Sequence, residues 1–238
     1  MVACCQHLDP DDIEALVSHV HAEPWLVNVL NVVAASGLPD AWVGAGILRD
    51  LVWGHRHDGF DPATVRDIDI AFFDPDDLSR RRDDTAQQHL RSMADLPWEA
   101  TNQAAVHTWY AEHFHEDPVP PLASVHEAVA TWPETATCVA IRAPMRSGSR
   151  EAQLAPPMRS GRREARLAPP MRSGSRGAQL APPYGIEVCA PYGLGDLLHG
   201  VWRRNPARLS VAASTARLAR HRVAKRWPSV VIHDPARP

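Results

Sequence analysis

Trp42-Val43-Gly44-Ala45-Gly46-Ile47-Leu48-Arg49-Asp50, followed some twenty residues later by Asp67-Ile68-Asp69-Ile70, is the stretch that decides the fold. A short apolar run enters a glycine turn and a helix begins. The chain then returns as a strand on which two carboxylates alternate with isoleucines. Residues i and i+2 of a strand share one face, roughly 6–7 Å apart. Asp67 and Asp69 therefore point together, while Ile68 and Ile70 turn into a core. Carboxylates paired in this way suit a hard cation such as Mg2+, which keeps several waters and takes its remaining ligands from substrate phosphates. Gly44 and Gly46 leave backbone N–H groups uncovered near a helix N-terminus, a setting that favours phosphate. A Gly-x-Gly alone is commonly a tight turn, and an Asp-x-Asp alone is commonly a solvated strand edge. Their order along the chain is far more specific, and it points to phosphoryl or nucleotidyl transfer.

The same order resembles the nucleotidyltransferase superfamily that includes DNA polymerase β, the CCA-adding tRNA enzymes and the antibiotic nucleotidyltransferases. The Gly-x-Gly-x-x-Arg-Asp form is most similar to the CCA-adding type. A closer resemblance is to a family of small uncharacterised bacterial nucleotidyltransferases. It is carried by Gly44–Asp50, Asp67–Asp74, Asn102–Tyr110, Pro133–Val139, Ala190–Leu197 and Ala224–Pro228, over residues 24–142 and 184–233. The resemblance implies a nucleoside triphosphate substrate, an acceptor hydroxyl and two Mg2+ ions, with Mn2+ as a substitute. It also implies a third carboxylate from a later strand. Glu187, in Ile186-Glu187-Val188, repeats the apolar–acid–apolar pattern and is the first choice; Glu99, in Trp98-Glu99-Ala100, is the alternative. The expected catalytic set is Asp67, Asp69 and Glu187, with Asp67 and Asp69 as metal ligands.

Gly44, Gly46 and Arg49 are the expected phosphate-binding residues, although Arg49 has a second possible role in holding Asp50 and the helix in place. Asn102, Gln103 and His107, beside Trp109 and Tyr110, form either a substrate-recognition cluster or a buried network bracing the sheet. His55-Arg56-His57-Asp58 fits none of the zinc spacings and reads as a solvated loop. A second function class also stays open: a non-catalytic nucleotide- or partner-binding module on the same fold.

The chain has 238 residues, 45% of them hydrophobic, enough to bury a core. No run approaches the ~18–20 apolar residues of a membrane helix, and the first residues lack the basic and apolar regions of a secretory signal. Four cysteines, two of them adjacent (Cys4 and Cys5) and two inside strand-like runs (Cys138 and Cys189), form no disulfide framework. A cytoplasmic protein with reduced thiols is expected.

Residues 143–183 are a tandem repeat. Ala-Pro-Pro-Met-Arg-Ser-Gly starts at Ala155 and at Ala168, and Met145, Met158 and Met171 mark a period of 13 residues. Rich in Pro, Gly, Ser and Arg, the segment has too few large apolar side chains to offset its ordering entropy and is expected to be disordered. It interrupts a hairpin between 137–142 and 185–190, at a cost of only about 0.6 kcal/mol per doubling of loop length. Residues 1–142 and 184–238 are accordingly expected to form one domain. Setting aside the segment's eight arginines and two glutamates leaves 17 basic and 26 acidic side chains, a net of −9 against −3 for the whole chain. An acidic body argues against a long nucleic-acid footprint, and a small-molecule or protein hydroxyl is the favoured acceptor.

Elsewhere, Asp9-Pro10 begins a helix with Ile13, Leu16, Val17 and Val20 on one face. Helices are expected over 25–36 and 47–55, and strands over 41–45 and 67–73. Asp74-Pro75-Asp76-Asp77 is expected to cap a helix running to Met93, followed by a strand at 98–101 and a helix carrying Gln103, His107 and Trp109. Further helices are expected over 124–132, 194–202 and 209–227. The mixture predicts an α+β fold: a mixed nucleotidyltransferase-like sheet flanked by helices, with the insertion in a late hairpin.

Overall fold

The computed structural model describes residues 8–114, 117–144 and 185–233, so the repeat expected to be disordered lies almost wholly outside the described residues. The fold opens with helices α1 (Pro10–His21) and α2 (Pro24–Ala35), strand β1 (Trp42–Gly44) and helix α3 (Gly46–His55). Strand β2 (Ile68–Phe72), helix α4 (Arg80–Met93) and strand β3 (Trp98–Asn102) follow. A 3-10 turn over Gln103–Thr108 leads to helices α5 (Tyr110–Phe114) and α6 (Val125–Val129). Strands β4 (Ala140–Arg142) and β5 (Glu187–Cys189) flank the repeat. The chain then runs through helix α7 (Gly195–His199), strand β6 (Val201–Arg203), helices α8 (Val211–His221) and α9 (Val223–Arg226), and strand β7 (Val231–His233).

Five strands form one mixed sheet in the order β3-β2-β1-β4-β5. β2 and β3 are parallel, with α4 as their crossover, and the other pairs are antiparallel. β4 and β5 form the expected hairpin, with Ala140 opposite Cys189 and Arg142 opposite Glu187. Alternation sets the two faces. Val43, Ile68, Ile70, Phe72, Trp98, Ala100 and Ile141 pack into the main core with the buried sides of α1 to α4. Trp42, Ala71, Ala140 and Cys189 face the other way, against Val125, Val129 and Trp132. Asp69 belongs to this second face, beside Ala71.

Capping chemistry accounts for the start of α1 and the end of α2. Asp9 accepts from the Asp11 N–H with Pro10 just inside α1, and Gly37 (φ 70) follows α2 in the left-handed conformation that glycine adopts without strain. Three sequence expectations need correction. The N-cap position of α4 is Ser79, which makes no side-chain cap hydrogen bond, while Asp74 and Asp77 use their carboxylates on the backbone N–H groups two residues ahead, holding 74–79 in turns. The region 194–202 divides into α7 and β6, with Gly200 (φ 71) ending the helix, and β6 pairs in parallel with β7 in a small second sheet. The expected final helix breaks at Arg222, which adopts φ 52 between α8 and α9. Among the described residues no helix is long and apolar enough to cross a membrane.

Candidate active site

The turn between β1 and α3 brings the glycines to the acidic strand. Continuing the antiparallel register of Trp42 with Ala71 and Val43 with Ile70 sets Gly44 opposite Asp69. Ala45 holds φ 58 and ψ −125, a conformation costly for a residue with a Cβ, and its N–H is anchored on the Val139 carbonyl at 3.1 Å. This sharp turn leaves the first N–H groups of α3 without a side-chain cap, and the Gly46 N–H faces the Asp69 carboxylate.

Asp67 stands just before β2, exposed, and Asp69 is half-buried two residues on. On the other side of β2, the parallel register sets Glu99 directly opposite Asp69. In-register residues of neighbouring strands project from the same face about 4.8 Å apart, so Asp67, Asp69 and Glu99 form one acidic cluster. Burial and mutual repulsion act together on two of its members, Asp69 and Glu99. Burial, then Asp67, then Glu99 push the Asp69 carboxyl up to about 7, against the smaller opposing pulls of the Gly46 N–H and Arg49. Burial and Asp67 likewise raise Glu99 above its ordinary value.

Glu187 does not join this cluster. Strand β5 lies three strands from β2, roughly 14 Å away at ordinary strand spacing. The Glu187 carboxylate is exposed and bound to Arg142 Nε and Nη2 at 2.9 and 2.6 Å. The carboxylate that joins Asp67 and Asp69 is Glu99, the alternative, and the expectation for Glu187 is corrected.

The two glycines divide their roles. A Cβ on Gly44 would lie 2.7 Å from the Val139 carbonyl and 2.8 Å from the Trp132 ring, so Gly44 is required by packing and its surface is covered by an indole. A Cβ on Gly46 would meet only Arg49 Nη2 at 3.5 Å and Asp69 Oδ2 at 3.9 Å. Gly46 thus faces the acidic cluster, whereas the side of Gly44 on which a Cβ would stand is filled by a carbonyl and an indole.

Arg49 is buried. Its guanidinium donates twice to Asp50 Oδ1 at 2.8 and 2.6 Å and lies over the Trp227 and Trp202 rings at 5.3 and 5.9 Å, while Arg226 binds the other Asp50 oxygen at 2.9 Å. Its firmest contacts are structural, tying α3 to the C-terminal helices.

Asn102 is likewise a brace. Fully buried, it accepts from the Asp74 and Ala104 N–H groups and donates to the Asp74 and Asp77 carbonyls, and its own N–H goes to Asp83. With every side-chain hydrogen-bonding position used, none is left for a ligand, and Asn102 is corrected to a structural role. Gln103 is buried and donates to the Thr101 carbonyl at 3.2 Å. His107 is half-buried, and its Nδ1 has no hydrogen-bond partner among the described residues. The 55–58 loop is held by His57, which bonds the Trp53 carbonyl and the Ser229 hydroxyl.

Sequence reasoning missed the cleft beside the acidic cluster. About 560 Å3 in volume, it follows β3 from Pro97 to Thr101 against α4, with Asp67 and Glu99 in its wall. The signal that could have found it is the row Asp84, Gln87 and Arg91, polar residues at helical spacing on α4.

These parts, a glycine turn entering a helix and carboxylates on the next two strands, are matched by a family profile. Residues 31–158, just over half of the sequence, fit the family described as Nucleotidyltransferase. The chain belongs to that family. This nucleotidyltransferase is also similar in fold to a protein solved by NMR and described as a CCA-adding enzyme head domain. The TM-score is 0.64 at 23% identity, covering 93% of this chain and 95% of that one. Identity that low carries the fold alone. No curated protein matches the sequence.

The cluster also bears on whether this nucleotidyltransferase fits a divalent cation. Carboxylates crowded on one face, one of them also raised by burial, are relieved by a cation between them. Among the described residues, no group of three or more His, Cys, Asp or Glu side chains is arranged as a metal cage. The Asp67–Asp69 donor pair is of the kind that Mg2+ accepts, because that ion needs one or two carboxylates and completes its shell with water and phosphate. It does not fit a metal that demands a full protein cage.

Proposed function

We propose that the protein transfers a nucleoside monophosphate from a nucleoside triphosphate to a hydroxyl acceptor in a Mg2+-dependent reaction. One observation carries the reading: Asp67, Asp69 and Glu99 share a face beside the Gly46 turn at the start of α3. Asp67 and Asp69 would hold the metal, one ion or a pair. Bound there, an ion would supply charge neutralisation for the triphosphate and Lewis acidity toward the reacting groups.

The chain's own residues supply the remainder. The uncapped N–H groups of α3 offer hydrogen bonds and a positive dipole end to the phosphates. Glu99, whose proton affinity burial and Asp67 raise above its ordinary value, receives the acceptor's proton. The acceptor oxygen attacks the α-phosphorus and pyrophosphate leaves with the electron pair of the broken bond. Arg49 is a positioning residue, fixed by Asp50 and two tryptophans behind the site.

The test is Mg2+-dependent binding and turnover of labelled NTP by the wild type and by Asp67→Ala plus Asp69→Ala. Loss of both in the double variant is the expected result. Binding that persists unchanged in the variant refutes the proposal.

A further inference from the structure

We propose that the cleft beside β3 binds the acceptor, and that the acceptor is a small polyhydroxylated molecule carrying an anionic group, phosphate or carboxylate. The inference rests on the nucleotidyl-transfer reading and deepens it by naming the second substrate's class.

Position is the first argument. The acidic cluster has two flanks. The β1 flank carries the Gly46 turn and the start of α3, which serve the triphosphate. The β3 flank is the cleft, with Asp67 and Glu99 in its wall. A second substrate entering by the β3 flank meets the carboxylates from the side opposite the phosphates.

The second argument is which charges in the cleft are already engaged. Arg80 pairs with Asp83 at 3.7 Å and stacks on Trp109 at 4.3 Å, and Asp83 also accepts the Asn102 N–H at 2.7 Å. Those groups build the wall. Arg66 and Arg91, both exposed, form no ion pair among the described residues, and the side chains of Asp84 and Gln87 have no hydrogen-bond partner there.

Their order along the cleft follows from the register. The hydrogen bond that the Asn102 N–H donates to Asp83 sets the start of α4 beside the end of β3, so α4 runs antiparallel to β3 and Arg91 lies toward Trp98. Arg66 immediately precedes Asp67, and Ile68 pairs with Trp98, which brings Arg66 to the same end. Two uncommitted guanidiniums therefore stand where the cleft meets the carboxylates, and Asp84 and Gln87 follow along α4. Guanidiniums bind phosphate or carboxylate in a fork, while a carboxylate and an amide accept and donate to hydroxyls. The volume of about 560 Å3 suits a metabolite rather than a folded partner surface.

Glucose, glucose 6-phosphate and gluconate, titrated into the full-length protein with Mg2+ and a non-hydrolysable NTP, provide the test. At least one anionic probe should bind tenfold or more tighter than glucose, and which one does identifies the anion. Arg66→Ala plus Arg91→Ala should erase that preference while leaving NTP affinity within twofold. Equal binding of all three probes, or binding of none at millimolar concentration, overturns the proposal. So does a double variant that loses NTP affinity instead, which would make the cleft a nucleotide site, or labelling of a polypeptide acceptor through the same arginines. If Asp67→Ala plus Asp69→Ala leaves NTP binding intact while the anion preference persists, the transfer reading falls and the cleft remains an anion site.

Discussion

Glu99 stands directly across from Asp69 in the parallel register of β2 and β3, and burial and Asp67 together raise its proton affinity. Glu187 carries the same sequence signature and spends its charge on Arg142 instead. The contrast separates the two carboxylates by experiment. Glu99→Gln should lower NTP turnover by about 10²–10⁴-fold, the usual span for loss of a general base. Glu187→Gln should leave turnover within twofold and cost no more than about 1 kcal/mol, as exposed ion pairs do. Steady-state rates and thermal melts of both variants decide it, and equal rate losses would remove Glu99 from the mechanism.

Gly44 and Gly46 should respond oppositely to alanine. Gly44→Ala drives a methyl group into a backbone carbonyl and the Trp132 ring, an overpacking that costs roughly 1–3 kcal/mol or more. Gly46→Ala meets only ordinary contacts, so the fold should survive with NTP affinity reduced by a group beside the carboxylates. Melting temperature and NTP titration of each variant check the pair. A Gly44→Ala protein as stable as wild type would show that Trp132 yields easily.

Asn102→Ala should unfold the protein well before it alters any substrate preference. It strands two backbone N–H groups and two carbonyls around the 74–77 turns and the start of the 3-10 segment, a combined loss of roughly 3–5 kcal/mol. A melting temperature close to wild type, with weakened substrate binding, would restore Asn102 to the list of recognition residues.

Asp69 links the site to stability. Its folded-state value of about 7 lies above its ordinary 3.8, so the fold favours the protonated form. The resulting cost is absent below about pH 4, grows as pH rises through 7 and is complete above it. In metal-free buffer at pH 8, Asp69→Asn should therefore melt higher by about 3–6 °C, equivalent to roughly 1–2 kcal/mol in a chain of this size. At pH 4 the two proteins should melt together, and the variant should be inactive throughout. A variant no more stable at pH 8 than at pH 4, relative to wild type, would mean that the carboxylates do not repel as described.

What the sequence could and could not reveal follows from the range over which each signal acts. The strand–glycine turn–helix unit, the β2 carboxylates and the β4–β5 hairpin are written in local alternation and turn chemistry, and each forms close to where periodicity sets it. The third carboxylate is not local. Trp98-Glu99-Ala100 and Ile186-Glu187-Val188 are equivalent as patterns, and only strand order, set by the α4 crossover, puts one beside Asp69 and the other at the far edge. Gly44 poses the same difficulty, because a glycine required by an indole from residue 132 reads like one required by a phosphate. Asn102 was ambiguous because its partners at 74 and 77 come from a turn whose carboxylates look like a helix cap.

His221 offers a test of the C-terminal packing that owes nothing to substrate. It lies on α8 against Trp202 at 5.9 Å, and burial, Arg49, Arg217 and Arg220 depress it to about 4, only partly opposed by Asp50. Its Nε2 has no hydrogen-bond partner among the described residues, so protonation gains no acceptor to offset the nearby arginines. A depressed histidine adds stability that is fully present above its ordinary value of 6.5 and is lost as pH falls toward 4. His221→Phe keeps a ring against Trp202 and removes the proton. Between pH 7 and pH 4 the wild type should lose about 1–2 kcal/mol more than this variant, after allowance for solvent screening of a half-buried group. Denaturant melts at both pH values measure that difference. Parallel losses in the two proteins would mean that His221 escapes to solvent and that α8 does not hold it against the Arg49–Asp50 pair.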